Sequence, residues 1–504
     1  MVYYVQSTTY DTIRRNSMRK ITAVLLLLAM LLSAAACSDA GETGESTADT
    51  AAVQTETAAE TEETRPMHQV PETDFAGANF HIAYPEWQGY RYYFFADEAT
   101  GEGMNDAIFD RTIQVEEYLN VDITQYSPGY IAEVVTEAKK AITAGDDVYS
   151  LVLLHCIQGV SELATNGMLY DFDKLPAVDL EADWWNRDMM DVLQLGKRTC
   201  YGVSDYMIPC PYAVYFNKDI VEDYGMANPY ELVYEGKWTL DTMVDMAVEF
   251  TRDVNGDGKS DPENDNYGIS APEVSKYISF VTGCNQFLTE KNADGKLQLA
   301  LNTEKTYSIV ETLAKLVVNP GTVYMPSAED ESAQFDFNSG RLLFRLDTIA
   351  GAVVFREYEA DIGILPYPKF DEAQEDYVSL DWGGLMAVPA TIQDGEMVGS
   401  VLELLSWLSA ETVIPAYYDV LLDGKLARDE DTRAMVDILF DTIAYEVGCN
   451  YSAIGGGINE LLYMPSNLVL TQKSTDFASF YAKYEKGATA ALEKLYTSLE
   501  KIEG

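Results

Sequence analysis

The sequence predicts an α/β body divided into two lobes, and three observations carry that prediction. The chain has 504 residues, strand and helix patterns alternate near the start of its folded part, and strand patterns return after long helical stretches. A single core rarely grows beyond ~250–300 residues, so this length asks for two units of about 150–250 residues each with an N-terminal remainder. The composition, 47% hydrophobic and 12% aromatic with 34 Tyr and 6 Trp, is that of a globular chain.

From the N-terminus, Arg19 and Lys20 precede an uncharged, leucine-rich run of 16 residues, 21–36, closed by Ser33-Ala34-Ala35-Ala36 just before Cys37. A charged start, an apolar middle and a small-residue end are the parts of a secretory signal peptide, and the run is short for the ~20 residues of a bilayer span. The start is Met1 or Met18, since residues 1–17 add nothing a signal peptide needs. Leu32-Ser33-Ala34-Ala35-Ala36-Cys37 resembles the lipobox of bacterial lipoproteins, with Ala34 where leucine is usual. That resemblance implies a signal peptide of residues 1–37 and lipidation of Cys37 with an acyl chain such as palmitate. Residues 38–64 hold eight acidic side chains and no basic one. Such a segment buries too little apolar surface to offset the entropy of ordering, so 38–71 is expected to be a disordered acidic tether.

In the folded part, 79–84 alternates and stops at Pro85, a first strand. An amphipathic helix over 106–119, a strand at 121–124, a helix over 131–142 and a buried strand over 148–154 follow, and this order calls for a largely parallel sheet. Residues 213–218 are extended, 239–250 and 304–317 helical, 342–346 and 362–365 strands. The tail is helical over 396–409 and 475–500, where Phe477, Phe480, Tyr484, Ala488, Ala491 and Leu495 recur at spacings of three and four.

Charge removes some function classes. A formal net charge of −48 repels phosphate backbones, so nucleic acid is not an expected partner. With three histidines and no paired CxxC, a multi-histidine metal centre has no material. Beyond Cys37 there are five cysteines, so at least one thiol stays free. Cys200 and Cys210 flank a strand-turn-strand pattern, which leaves a local disulfide or two free thiols as open readings.

Several segments together resemble the extracellular solute-binding proteins of bacterial ABC importers, the broad family of maltose-binding protein. They are Ala213-Val214-Tyr215-Phe216-Asn217-Lys218-Asp219, Gly236-Lys237-Trp238-Thr239-Leu240, the run 361–368, and Gly383-Gly384-Leu385-Met386-Ala387-Val388-Pro389. Pro415-Ala416-Tyr417-Tyr418-Asp419 and Lys425-Leu426-Ala427-Arg428-Asp429 look like a clostridial subgroup. The likeness runs from about Phe75 to the C-terminus and implies a type II periplasmic-binding-protein-like fold with a cleft between lobes. By that analogy one lobe spans 72–211 plus 336–381 and the other 212–335 plus 382–504. The implied molecule is no enzyme but a monomer on the outer face of the cell membrane, held by its lipid anchor, that passes a small ligand, a sugar by family prior, to ABC permease subunits.

For the cleft, the candidates are aromatics and polar groups at strand ends and loops: Tyr84, Glu86, Trp87, Gln158, Trp184, Trp185, Asp205, Tyr206, Tyr212, Asp381 and Trp382. Ring faces stack on the C–H face of a sugar while carboxylates and amides bind its hydroxyls. Each aromatic is as readily a core residue. Asp253, Asn255, Asp257 and Asp261, with Gly258 at the sixth place, follow the start of an EF-hand-type calcium loop. Lys259 would ligate through its carbonyl, and Asp265 would close the loop in place of the usual glutamate; the bland reading is a polar turn. A secreted glycan hydrolase, with two carboxyls flanking one bond, a carrier of a non-sugar solute and an adhesion module are the competing functions.

Overall fold

A computed structural model describes residues 67–503 apart from 88–89, 158–159, 272, 320, 326–336, 356–357, 382 and 423–429. The expected signal peptide, Cys37 and most of the expected tether therefore lie outside the described residues, as do Gln158 and Trp382.

The first lobe forms as the pattern requires. Strand β1 (Ala78–Ala83) leads through the helix Gly103–Leu119 to β2 (Val121–Tyr126), then through the helix Ile131–Ala144 to β3 (Leu151–His155). Both helices stop on residues that tolerate a left-handed backbone, Asn120 at φ 46° and Gly145 at φ 78°. β2 and β3 flank β1 in parallel. The third strand begins at Leu151, later than its pattern: Val148 is exposed, and buried Tyr149 and Ser150 precede the strand.

The second lobe holds β4 (Tyr212–Asn217), β5 (Tyr267–Ser270), a hairpin of β6 (Thr289–Lys291) and β7 (Leu297–Leu299), β8 (Val323–Tyr324), β9 (Leu342–Thr348) and β10 (Ile362–Leu365). Its main sheet runs β10-β4-β9-β5-β8, with β4 antiparallel to both neighbours and β5 parallel to both of its own. After β11 (Ser379–Leu380), β12 (Gly384–Ala387) returns to the first sheet, antiparallel to β3, and β13 (Ile443–Ala444) pairs with β11.

This corrects the expected lobe assignment. β9 and β10, placed by analogy in the first lobe, complete the second sheet around β4, while β12 belongs to the first. The helix Gly395–Leu408 also joins the first core through Val398, Val401, Leu402 and Leu405, whereas Met435, Ile458 and Phe477 return to the second. Sheet membership is fixed by pairing between distant segments, which no local pattern records. Where the chain leaves the first lobe for β4 and returns to it for β12, Pro211 and Asp381 form an antiparallel bridge. The body also begins before residue 72: Val70 is buried in the first core, and Tyr118 donates its hydroxyl to the Val70 carbonyl.

The segment Gly395–Leu421 is long and apolar enough to cross a membrane by composition alone, but 72% of its most apolar window is buried inside the body, as in a core helix. All five described cysteines are free thiols, Cys200 and Cys210 included.

Candidate ligand-binding site

In open α/β sheets, ligands bind outside the carboxyl ends of the strands. Here the carboxyl ends of the two sheets meet. β1 runs into Tyr84–Trp87, β3 into His155–Ile157, and β5 of the other lobe into Ala271–Lys276. Trp87 is half-buried, packs against both cores, and lies edge-on to His155 with ring centres 4.4 Å apart. Cys156 and Ile157, at the tip of β3, pack into the core of the opposite lobe. Asn450, only 1% exposed, donates Nδ2 to the Cys156 carbonyl at 3.1 Å.

The seam carries charge as well as rings. His155 is 4% exposed, and burial lowers its pKa to about 4, with smaller opposed effects from Glu273 and Lys276 across the seam. The imidazole is therefore neutral at physiological pH, and a base so weak is poorly matched to proton abstraction near neutrality. Lys276, 3% exposed, sits 3.2 Å from Glu273 Oε2 and 5.1 Å from the centre of the Tyr212 ring. Half-buried Tyr463 packs on the second core close enough to feel Cys156 and Glu273. Two aromatic rings from opposite lobes, a carboxylate, an ammonium and an amide can together stack on and hydrogen-bond a small polar solute.

The candidates divide on this frame. Trp87 and exposed Glu86, whose amide donates to the Gly129 carbonyl, stand at the seam. Tyr84 lies beneath, buried against Phe95, and Tyr212 is buried under Lys276. Trp184 and Trp185, expected in the cleft, are core residues. Their Nε1 groups donate to Glu403 Oε1 at 3.1 Å and Oε2 at 2.7 Å, and the Asp179 amide adds a third bond. Glu403 is 1% exposed, and desolvation pushes its pKa up to about 7. Tyr206 is likewise buried, between Phe94 and the Arg111 guanidinium 4.7 Å from its ring centre. Asp205 is half-buried, with its amide on the Trp184 carbonyl.

Asp381 serves the crossing instead of a ligand. Its Oδ1 accepts the amides of Cys210 (3.1 Å) and Gly383 (2.9 Å), and its Oδ2 accepts the Tyr445 hydroxyl (2.9 Å). Sequence reasoning missed Glu273, Lys276, Asn450 and Tyr463. A signal for the first two existed: β1 runs into Pro85-Glu86 and β5 into Pro272-Glu273, the same dipeptide after a strand in each lobe.

In the polar loop the acidic groups turn onto the loop's own backbone. Asp253 accepts the amides of Gly256 and Gly258, Asn255 that of Asp257, Asp257 that of Lys259, and Asp265 those of Val254 and Asp261. Among the described residues no three His, Cys, Asp or Glu side chains gather as a metal site.

No protein-family model matches the chain, and no curated protein is detectably similar in sequence. Solved structures are similar throughout. The lacto-N-biose-bound binding protein of a Bifidobacterium longum ABC transporter is 12% identical at a TM-score of 0.55, covering 84% of this chain and 99% of its own. Glycerophosphocholine-bound UgpB from Mycobacterium tuberculosis is 14% identical at 0.54, covering 84% and 98%. The ABC substrate-binding protein Lmo0181 of Listeria monocytogenes, in complex with cycloalternan, is 14% identical at 0.53, covering 84% and 99%. The fold is thus the two-lobed α/β fold of these binding proteins.

Proposed function

We propose that this protein is the extracellular, lipid-anchored solute-binding component of an ABC importer, and that it captures a carbohydrate or oligosaccharide between its lobes without converting it. The observation that carries the reading is the meeting of strand carboxyl ends from both sheets at one seam, spanned by Trp87, in a body that matches sugar-bound ABC binding proteins over nearly their whole length. Closure of two lobes on a guest moves a few residues at the crossings, and Asp381 with Tyr445 is placed to keep those crossings in register. The lipobox at Cys37 and the acidic segment behind it support membrane attachment with the body held off the surface.

A thermal-shift screen over mono- and oligosaccharides tests this directly. A specific solute at 100 times its Kd adds about 2.7 kcal/mol to stability. Saturable binding without product supports a carrier, whereas release of hydrolysed sugar supports the hydrolase. A second reading, a non-sugar solute, has an observation of its own: UgpB of the same fold holds glycerophosphocholine, and Lys276 with Glu273 offers both signs of charge at the seam. Glycerophosphodiesters belong in the screen.

Calcium binding by the 253–265 loop is a proposal that rests on its sequence pattern. Calorimetry on chelator-treated protein that gives neither heat nor a shift in Tm would remove it.

A further inference from the structure

A recess that shares no residue with the seam lies between the same two lobes. Met189 and Val192, from the helix Arg187–Leu193 of the first lobe, form one wall; Phe287 and Leu297 of the second form the other; Tyr445 and Val447 floor it. It encloses about 350 Å³, within the ~300–1,000 Å³ of small-molecule sites. The walls are mainly apolar; of the ionisable residues that line it, Glu290 and Lys291 are of opposite sign, and the Glu446 carboxylate is taken up by the amides of Leu288 and Gly448 and the Thr289 hydroxyl. Lys291 donates Nζ to the Asp191 carbonyl at 2.6 Å, a strut from one lobe to the other along one edge. A volume of about 350 Å³ suits a small molecule. Glu446, between Tyr445 and Val447 on the floor, accepts the amides of Leu288 (2.6 Å) and Gly448 (2.8 Å) with its buried carboxylate, which fixes the floor to the second wall. Tyr445 continues from the floor to Asp381 at the crossing.

We propose that this recess is a second binding site, for an uncharged and mainly apolar small molecule, and that its occupant favours the lobe arrangement seen here. A molecule touching Met189 and Val192 on one side and Phe287 and Leu297 on the other gains both contacts only at this separation of the walls. By linkage it shifts the population toward that separation. In the same arrangement the seam is held by the Asn450 bond to Cys156, so occupants of recess and seam strengthen one another.

The probe is indole, a neutral bicyclic molecule, titrated calorimetrically into the full chain with a detergent blank subtracted. Saturable one-site binding is expected. Val192 is 41% exposed, so Val192→Asp puts a charge in the wall while sparing the core; it should weaken indole binding at least tenfold with Tm unchanged, and Met189→Gln should weaken it as a second variant. Non-saturable uptake, or equal affinity in wild type and both variants, overturns the site. With indole saturating, a solute found by the thermal screen should bind at least threefold more tightly, and equal or weaker binding overturns the coupling. Indole binding lost in Val192→Asp alongside an empty solute screen would leave the recess standing while removing the seam reading; a solute hit without indole binding would remove the recess alone.

Discussion

Trp184 and Trp185 sit in the first lobe with both indole N–H groups given to Glu403, a carboxylate 219 and 218 residues away in the chain. Trp87, in the same lobe, lies half-buried and edge-on to His155, touching the cores of both lobes. From sequence the three are equal candidates for stacking on a sugar. What separates them is where each ring is packed: Trp184 and Trp185 are fixed inside one core by their bonds to Glu403, while Trp87 lies on the seam against both lobes. The first kind should govern stability and the second ligand affinity.

Glu403→Ala attacks this contrast hardest. It strands two indole donors and the Asp179 amide, at a cost of about 3–5 kcal/mol, read as a fall in Tm and in the denaturant midpoint, with solute affinity of the folded fraction unchanged. A stable variant with weakened binding would reverse the roles assigned to the two regions. The next effect is one of pH. Folding raises the Glu403 pKa from 4.5 to about 7, mainly by desolvation, and that of buried Glu446 in the same direction for the same reason. The folded state then holds protons that the unfolded state has released, so this stability is complete below about pH 4.5 and is lost as pH rises through about 7. Glu403 alone accounts for about 3 kcal/mol between those limits. Denaturation midpoints that fall from pH 5 to pH 8, with a shallower fall in Glu403→Gln, would meet the expectation; parallel profiles would show that Glu403 is ionised in its site.

At the seam the sizes are smaller and the readout changes. Trp87→Ala should weaken solute binding about tenfold, near 1.4 kcal/mol, whereas Trp184→Ala should leave the Kd alone while lowering Tm. Equal Kd values for wild type and Trp87→Ala would place the solute elsewhere.

Local signals were legible and distant ones were not. The helix Glu304–Val318 starts where Thr303 accepts the Thr306 amide, and Leu240–Phe250 where Thr239 accepts that of Thr242, caps written into adjacent residues. β10 fell on its pattern residue for residue because Ile362–Leu365 is buried throughout. The sheet that β9 and β12 would join depends on partners more than a hundred residues away, β4 and β3, and analogy exchanged them. The site follows the same division. Trp87 and Glu86 lie directly after a readable strand, while Lys276, Asn450 and Tyr463 reach the seam only because two lobes fold against each other.

Glu86 gives the smallest and most discriminating effect. Its side chain is exposed and its amide already bonds to the Gly129 carbonyl, so Glu86→Gln should leave stability within about 0.5 kcal/mol of wild type. Across the seam Glu273 occupies the matching place after β5, where its carboxylate is 3.2 Å from Lys276. If the two glutamates flank one solute, Glu86→Gln should weaken binding about threefold by exchanging a charged acceptor for a neutral one. Glu273→Gln should weaken it further, because that change also leaves the buried Lys276 ammonium without its carboxylate. A loss at Glu273 with none at Glu86 would mean that the solute rests on the second lobe alone, and the two dipeptides would then be alike in sequence but not in use.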